Sequence, residues 1–257
     1  MPGGKCAFAS GICSKYCYAS RGRFLWNSRC YARNLKATTG EDFVGRVCDE
    51  LHAATNGNPG TGIACAIHEK GDFYSLDYMR KWGEVINKMG TVPNITFFIY
   101  SRSWVSEPFR LELERIGAGN NVRVNLSTDR EMLAERGMPK KIGNGLVTYL
   151  AETDDDIPAH PVDLVFRNLC NKPTSPLERI GECLVCPHET NLFVATKNGL
   201  PVLQDGKTIR IRCQECRLCI DRVPKEWEAA KDAYAGVPGI RHPAEPSQAG
   251  VRDHTSQ

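Results

Sequence analysis

The sequence predicts an α/β protein built on a parallel sheet. Five short apolar segments of strand length alternate with amphipathic helical segments between Thr61 and Leu169. Continuous apolar strands alternating with helices are typical of parallel sheets, where helical crossovers cover the strands. No linker interrupts this run, which favours an open or closed barrel of β/α units over separate domains.

Two helices are predicted ahead of the first strand. The first spans about Trp26 to Lys36, and the second lies in "TTGEDFVGRVCDELHAA". In the second segment Thr38 and Glu41 have capping-box spacing, and apolar residues recur every fourth position at Phe43, Val47 and Leu51.

The alternation of strands and helices then follows in order. The predicted strands are "TGIACAI", "NITFFIY", "VRVNLS", "GLVTYLA" and "DLVFRNL". The helix "SLDYMRKWGEVINKM" has one apolar face, formed by Met79, Trp82, Ile86 and Met89. The helix "SEPFRLELERIGA" is expected to be capped by Ser106 with Pro108 in its first turn, and "DREMLAER" is a short helix.

Cysteine content and charge limit the functional classes. The chain has 257 residues, a net charge of +3 and twelve cysteines. No apolar run is long enough for a membrane span, and "MPGGK" lacks the apolar core of a signal peptide, so we expect a cytoplasmic protein. In a reducing compartment such cysteines suggest a metal, an iron–sulfur cluster or a catalytic thiol rather than disulfides. The charge neither supports nor excludes a nucleic-acid partner.

The first cysteine group is Cys6, Cys13 and Cys17, within "CAFASGICSKYCYAS". Three thiols cannot complete a structural zinc site without a fourth ligand, but they can hold a 4Fe-4S cluster and leave one iron open. A zinc site completed by His52 or His68 is the alternative.

A second cysteine group lies near the carboxyl end. The CxxC spacing of Cys183 and Cys186 is typical of zinc sites. The CxxCxxC spacing of Cys213, Cys216 and Cys219 is typical of ferredoxin-type cluster loops. Five thiols exceed the need of one zinc, so we favour a second 4Fe-4S cluster bound by Cys186, Cys213, Cys216 and Cys219, with Cys183 as a fifth thiol. Zinc is the alternative, and His188 could replace a thiol in either case.

The remaining segments complete the predicted organisation. Cys30, Cys48 and Cys65 are expected to be small buried residues. A hairpin is expected around Asn198-Gly199. We therefore divide the chain into residues 1–170, the barrel with its cysteine loop; 171–222, a small cysteine-rich extension; and 223–257, a short helix with a disordered tail.

The pattern C-x6-C-x3-C-Y-A resembles the cysteine loop of the radical S-adenosylmethionine (SAM) superfamily, although its spacing departs from the common CxxxCxxC. It more closely resembles the phage "gene product 88" family of radical-SAM-like proteins. The resemblance extends through "GRF", "HEKGDFYS", "YSRSW", "NLSTD" and the terminal cysteines, and it covers most of residues 6–220.

This resemblance implies a partial (β/α) barrel of the radical SAM type and a 4Fe-4S cluster that cleaves SAM to a 5′-deoxyadenosyl radical. It also implies an electron donor such as a flavodoxin or ferredoxin. The cofactor-binding residues that it implies are Tyr16, Gly71, Asp72, Ser101, Arg102, Ser127 and Asp129. Alternatively, Asp72 is an ordinary turn carboxylate, and Ser127 or Asp129 is a helix cap.

A barrel strand normally precedes the cysteine loop in that superfamily, and "MPGGK" is too short and too rich in Gly and Pro to form one. We therefore expect a barrel that lacks a normal first strand, with an exposed or covered sheet edge beside Cys6–Cys17. Two alternatives are open: a later segment such as "TIRIR" takes the place of the first strand, or the chain starts upstream of Met1. The substrate is left open; the alternative function is a non-enzymatic zinc or iron–sulfur protein, for example a redox sensor.

Overall fold

The computed structural model describes residues 6–17, 28–57, 62–68, 71–152, 156–158 and 162–167, together with four short strands beyond them. The helices are α1 (Gly11–Tyr16), α2 (Ser28–Thr38), α3 (Phe43–Asn56), α4 (Leu76–Met89), α5 (Glu107–Gly117) and α6 (Arg130–Arg136), with a 3-10 turn at Ser103–Val105. The main strands are β1 (Ile63–Ala66), β2 (Ile95–Ser101), β3 (Val122–Thr128), β4 (Val147–Ala151) and β5 (Leu164–Arg167).

The five strands form one parallel sheet in the order β1-β2-β3-β4-β5. Adjacent strands pair in parallel throughout, for example Cys65 with Phe97 and Ser101 with Leu126. All five predicted strands are therefore confirmed, and so is their parallel arrangement, with crossover helices described between β1 and β2, β2 and β3, and β3 and β4. Since parallel strands all end at the same side, the segments that follow β1, β2 and β3 meet at one carboxyl edge.

The sheet curves into a half-barrel. The rings of Tyr100 in β2 and Phe166 in β5 lie 5.6 Å apart, edge to face. Two strands separate β2 from β5, and in a flat sheet that spacing is roughly 14 Å. The short ring distance therefore places both side chains on a concave face, opposite the face that the helices cover.

The apolar core lies between the helices and the convex face. Phe97 and Ile99 of β2 and Val124 of β3 are fully or almost fully buried there. They share one core cluster with helix residues such as Met79, Ile86, Leu113 and Ile116. Side chains alternate between the faces of a strand, so the same strands present Tyr100, Asn125 and Ser127 to the concave side.

The predicted capping box at Thr38 is wrong. Helix α2 continues through Thr38, whose hydroxyl donates to Leu35 O at 2.6 Å and lies 2.5 Å from the Tyr74 hydroxyl. Helix α3 instead begins at Phe43 with Asp42 at its N-cap position, without a capping side-chain bond. The local spacing of residues could not reveal that the Thr38 hydroxyl forms a hydrogen bond with Tyr74, which lies 36 residues further along the chain.

The predicted start of helix α5 is confirmed, but the capping hydrogen bond expected from Ser106 is not formed. Ser106 occupies the N-cap position and Pro108 lies in the first turn, yet the Ser106 side chain makes no capping hydrogen bond.

Beyond β5 the structure describes two antiparallel strand pairs, β6 (Arg179–Ile180) with β7 (Cys183–Leu184) and β8 (Ala195–Lys197) with β9 (Leu200–Val202). The second pair confirms the predicted hairpin. Within the described sheet β1 is an edge strand, and the residues ahead of Cys6 lie outside the described range. None of the described helices is both long and apolar enough to cross a membrane.

Candidate metal centre

The first cysteine group lies on a short helix that the sequence did not predict. Ser10 is the N-cap of α1, with extended backbone angles, and its Oγ accepts a hydrogen bond from Cys13 N at 3.0 Å. Cys6 precedes this helix, Cys13 lies in its first turn and Cys17 is its C-cap. A serine ahead of the helix was the available signal, but six residues are too few for a recognisable periodic pattern.

The three thiols are half-buried and influence one another electrostatically. Burial raises the pKa of Cys6 to about 11, and the nearby Asp72, Cys13 and Cys17 add to the rise. Burial also raises the pKa of Cys13, whereas the positive charge of Arg102 acts against it. These couplings indicate that the thiols share one region with a buried carboxylate and a buried guanidinium.

No three His, Cys, Asp or Glu side chains in the described part of the chain converge on the position of a single metal ion. A cluster makes a different demand, because each cysteine thiolate binds its own iron atom. Three neighbouring thiols beside a cation therefore suit a cluster, whose binding would deprotonate them.

Asp72 joins the segment after β1 to the end of β2. Its Oδ1 accepts hydrogen bonds from Ser101 Oγ at 2.9 Å and Phe73 N at 2.8 Å, and its Oδ2 accepts from Arg102 N at 2.7 Å. Burial raises the pKa of Asp72, although these hydrogen bonds oppose the rise. Both carboxylate oxygens thus already have donors from the protein, as the turn-carboxylate interpretation expects.

Gly71 gives this turn its shape. Its φ is 90°, in the region that only glycine adopts readily, and a Cβ built there would meet no atom within 4 Å. The glycine is thus required by the backbone conformation rather than by crowding.

Arg102 and Asp129 form a buried ion pair at the ends of β2 and β3. Arg102 Nη1 donates to Asp129 Oδ2, to Ser10 Oγ at 3.1 Å and to Met132 Sδ at 2.9 Å. Asp129 also caps α6, because its Oδ1 accepts from Met132 N at 3.1 Å, which confirms the helix-cap interpretation for this residue. Burial alone would raise the pKa of Asp129, but the Ser10 hydroxyl and the Arg102 charge hold it below the usual value.

The far end of α1 is also held to the sheet. Lys15 Nζ lies 3.1 Å from Glu152 Oε1, and Arg130 donates to Glu152 and Asp156 at 2.8 and 2.7 Å. Tyr16 is at this end, with Lys15 Nζ 4.7 Å from its ring centroid. The predicted cofactor role of Tyr16 stays a prediction.

The other predicted residues lie at the same edge with different exposures. Ser101 is buried and also accepts from Ser103 N at 3.0 Å, whereas Ser127 is half-buried and its carbonyl accepts from Trp104 Nε1 at 2.9 Å. The structure therefore brings Gly71, Asp72, Ser101, Arg102 and Asp129 together with the cysteine loop. Sequence reasoning missed three residues that hold this loop: Ser10, Glu131 and Glu152.

The two alternative histidine ligands differ in environment. His52 is exposed on α3. The ring of His68 packs edge-on against Phe73 at 4.6 Å, and neither of its nitrogens has a hydrogen-bond partner among the described residues. Burial lowers the pKa of His68 to about 4, so its ring is neutral at physiological pH.

For the second cysteine group, the structure describes the backbone of Cys183 in β7. Its predicted partners, Cys186, His188, Cys213, Cys216 and Cys219, lie outside the described residues. The second cluster therefore stays a prediction.

The prediction that three isolated cysteines are buried is wrong for Cys30. Cys30 lies exposed on α2, Cys48 is buried and Cys65 is half-buried. The α2 segment, "SRCYARNLKAT", consists mainly of polar and charged residues, so it has no broad apolar face that would draw Cys30 into the core.

These environments predict different thiol reactivities. Burial raises the pKa of Cys65 to about 11, so at pH 8 roughly one thiol in a thousand is ionised and able to react. Peptide mass spectrometry of the native protein treated with iodoacetamide should find Cys30 alkylated well before Cys65, with Cys65 labelling rising as the pH is raised. Equal labelling rates for Cys30 and Cys65 would contradict the described burial.

The fold and site define a class of protein: an α/β protein whose five-stranded parallel half-barrel sheet carries a three-cysteine loop at its carboxyl edge. The chain belongs to the gene product 88 family, whose model matches residues 1–222. The predicted resemblance to that family is thereby confirmed. No curated protein and no solved structure matches the chain.

Proposed function

We propose that this chain is a radical SAM enzyme whose 4Fe-4S cluster is held by Cys6, Cys13 and Cys17. The observation that carries the proposal is the placement of three half-buried thiols in and around helix α1, which is hydrogen-bonded to the carboxyl edge of a parallel half-barrel sheet. Active sites of β/α barrels are found at this edge. The partial barrel of the radical SAM type, implied by the cysteine pattern, is compatible with this sheet.

The residues around the loop have distinct tasks in this proposal. The thiolates of Cys6, Cys13 and Cys17 would hold the cluster and leave one iron open for SAM, and the concave face beside Tyr100 and Ser127 would receive the substrate. A reduced cluster held there would supply the electron for cleavage of SAM to methionine and a 5′-deoxyadenosyl radical, which would take a hydrogen atom from the substrate. The Asp72 turn and the Arg102–Asp129 pair fix the edge on which these groups meet.

The proposal also includes an electron donor such as a flavodoxin or ferredoxin, and a second cluster at the carboxyl-terminal cysteines. Support for the second cluster is the CxxCxxC run alone.

Anaerobic reconstitution of the full chain with iron and sulfide tests the proposal. A brown protein that forms 5′-deoxyadenosine from SAM and dithionite is expected. A protein that binds only zinc and stays colourless contradicts the proposal. A cluster that forms but never cleaves SAM favours the alternative of a redox-sensing protein.

A further inference from the structure

We infer that Ser10 is a positioning residue of the metal centre, the point at which the sheet holds the cysteine loop. This inference rests on the proposed function, because it assigns the loop's orientation to one side chain. The contacts involved are made by Ser10, Arg102, Asp129 and Glu131, and we call these four residues the loop clamp.

The Ser10 hydroxyl uses its whole hydrogen-bonding capacity. A serine hydroxyl has one proton to donate and two lone pairs that accept. Ser10 Oγ donates to Asp129 Oδ2 and accepts from Cys13 N and from Arg102 Nη1. The Ser10 hydroxyl therefore links the backbone amide of Cys13, a proposed cluster ligand, to Asp129 and Arg102 at the ends of β3 and β2.

Glu131 holds the same end of α1 at a second point. Ile12 N donates to Glu131 Oε2 at 3.3 Å. A Cβ at Gly11 would lie 3.0 Å from both carboxylate oxygens of Glu131, so a larger residue there would push the carboxylate away from the helix. The first turn of α6 thus supplies two carboxylates, Asp129 and Glu131, to the start of α1.

Two members of the loop clamp, Arg102 and Asp129, are buried and hydrogen-bonded to other parts of the protein. Asp129 is fully buried, and Arg102 is buried with its backbone amide bonded to Asp72. Residues fixed by packing and secondary hydrogen bonds orient metal ligands, and their loss typically lowers metal affinity by about 10- to 100-fold. Arg102 and Asp129 therefore fix the position of Cys13 indirectly, through their hydrogen bonds to Ser10.

The test compares Ser10→Ala with Ser10→Thr and with Ser75→Ala. Threonine keeps the hydroxyl and adds one methyl group at a residue that lines a cavity of about 320 Å³. Ser75 is the matched control, because it caps α4 by the same kind of bond, to Tyr78 N at 3.2 Å, and has no hydrogen bond to the described residues of the cysteine loop.

The first readout is hydrogen–deuterium exchange of residues 6–17 in the metal-free full chain, which does not depend on any cluster. Ser10→Ala should speed this exchange by at least about fivefold, the change expected for loss of a helix cap. Ser10→Thr should restore slow exchange, and Ser75→Ala should leave these residues unchanged.

The second readout is the iron content and electron paramagnetic resonance spectrum of the reconstituted protein. Ser10→Ala should lower the iron content or alter the spectrum, with rescue by Ser10→Thr. The inference would be overturned if the Ser10→Ala variant showed the same exchange rates and the same spectrum as the Ser75→Ala variant. It would also be overturned if Ser10→Thr behaved like Ser10→Ala. If the wild-type chain forms no cluster while the exchange results hold, the proposed function fails and the clamp itself stands.

Discussion

Cys13→Ala is expected to abolish formation of 5′-deoxyadenosine from SAM and to remove the cluster's visible absorption. Cys13 is one of three thiols proposed to bind iron, and the chain offers no spare thiol among the described residues of that loop. Loss of a direct ligand should exceed the roughly 10- to 100-fold cost of losing a residue that only orients one. Activity should therefore fall more than about 100-fold.

The same substitution should leave the helix in place. Cys13 contributes its backbone amide, not its thiol, to the bond with Ser10 Oγ, and alanine is a good helix former. Circular dichroism and the free energy of unfolding of the metal-free protein should match those of the wild type. An activity loss can then be attributed to the thiol.

Cys30→Ala is the matched control, because Cys30 is exposed on α2 and outside the loop. It should keep full iron content and activity. A Cys13→Ala protein that retains cluster absorption and cleaves SAM as the wild type does would refute the proposed ligand set.

The sheet could be predicted because its strands depend on local information. Each strand is a short apolar run bounded by polar turns, as in "ITFFIYS", where fully buried residues alternate with half-buried ones. A barrel-like sheet was predicted, but how far it closes could not be, since the Tyr100–Phe166 contact joins strands that are far apart in the sequence and follows from the arrangement of the whole sheet.

The meeting of the candidate residues at one edge of the sheet could be predicted, but their hydrogen-bond partners could not. Asp72, Arg102 and Asp129 follow consecutive parallel strands, so their meeting at one edge follows from topology. Their partners do not: the bond between Ser10 and Asp129 spans 119 residues, and no sequence pattern marks it. The structure consequently shows Arg102 bonded to Asp129, two residues that the resemblance implied only as separate cofactor-binding residues.

Arg102→Met is expected to lower the free energy of unfolding by about 3–5 kcal/mol. The side chains of Arg102 and Asp129 are 9% and 0% exposed, so removing the cation leaves a buried carboxylate without its counter-charge. The half-exposed pair of Arg110 and Glu114 gives the control, since Arg110→Met should cost less than about 1 kcal/mol. Urea unfolding of the metal-free variants measures both changes, and equal small losses would show that the buried pair does not stabilise the fold.

The charge on Asp129 gives this prediction a pH dependence. Its pKa in the folded protein is held below the ordinary 3.8, so its contribution to stability is present above that value and is lost as the pH falls through the folded-state pKa. In the Arg102→Met variant the Asp129 carboxylate lacks its counter-charge, so it takes up a proton at a higher pH than in the wild type. Protonation then removes the cost of burying the unpaired charge. The stability gap between wild type and variant should therefore be largest near neutral pH and narrow on acidification. The double variant Arg102→Met/Asp129→Asn carries neither charge, so it should be more stable than Arg102→Met at neutral pH, and its gap to wild type should depend less on pH.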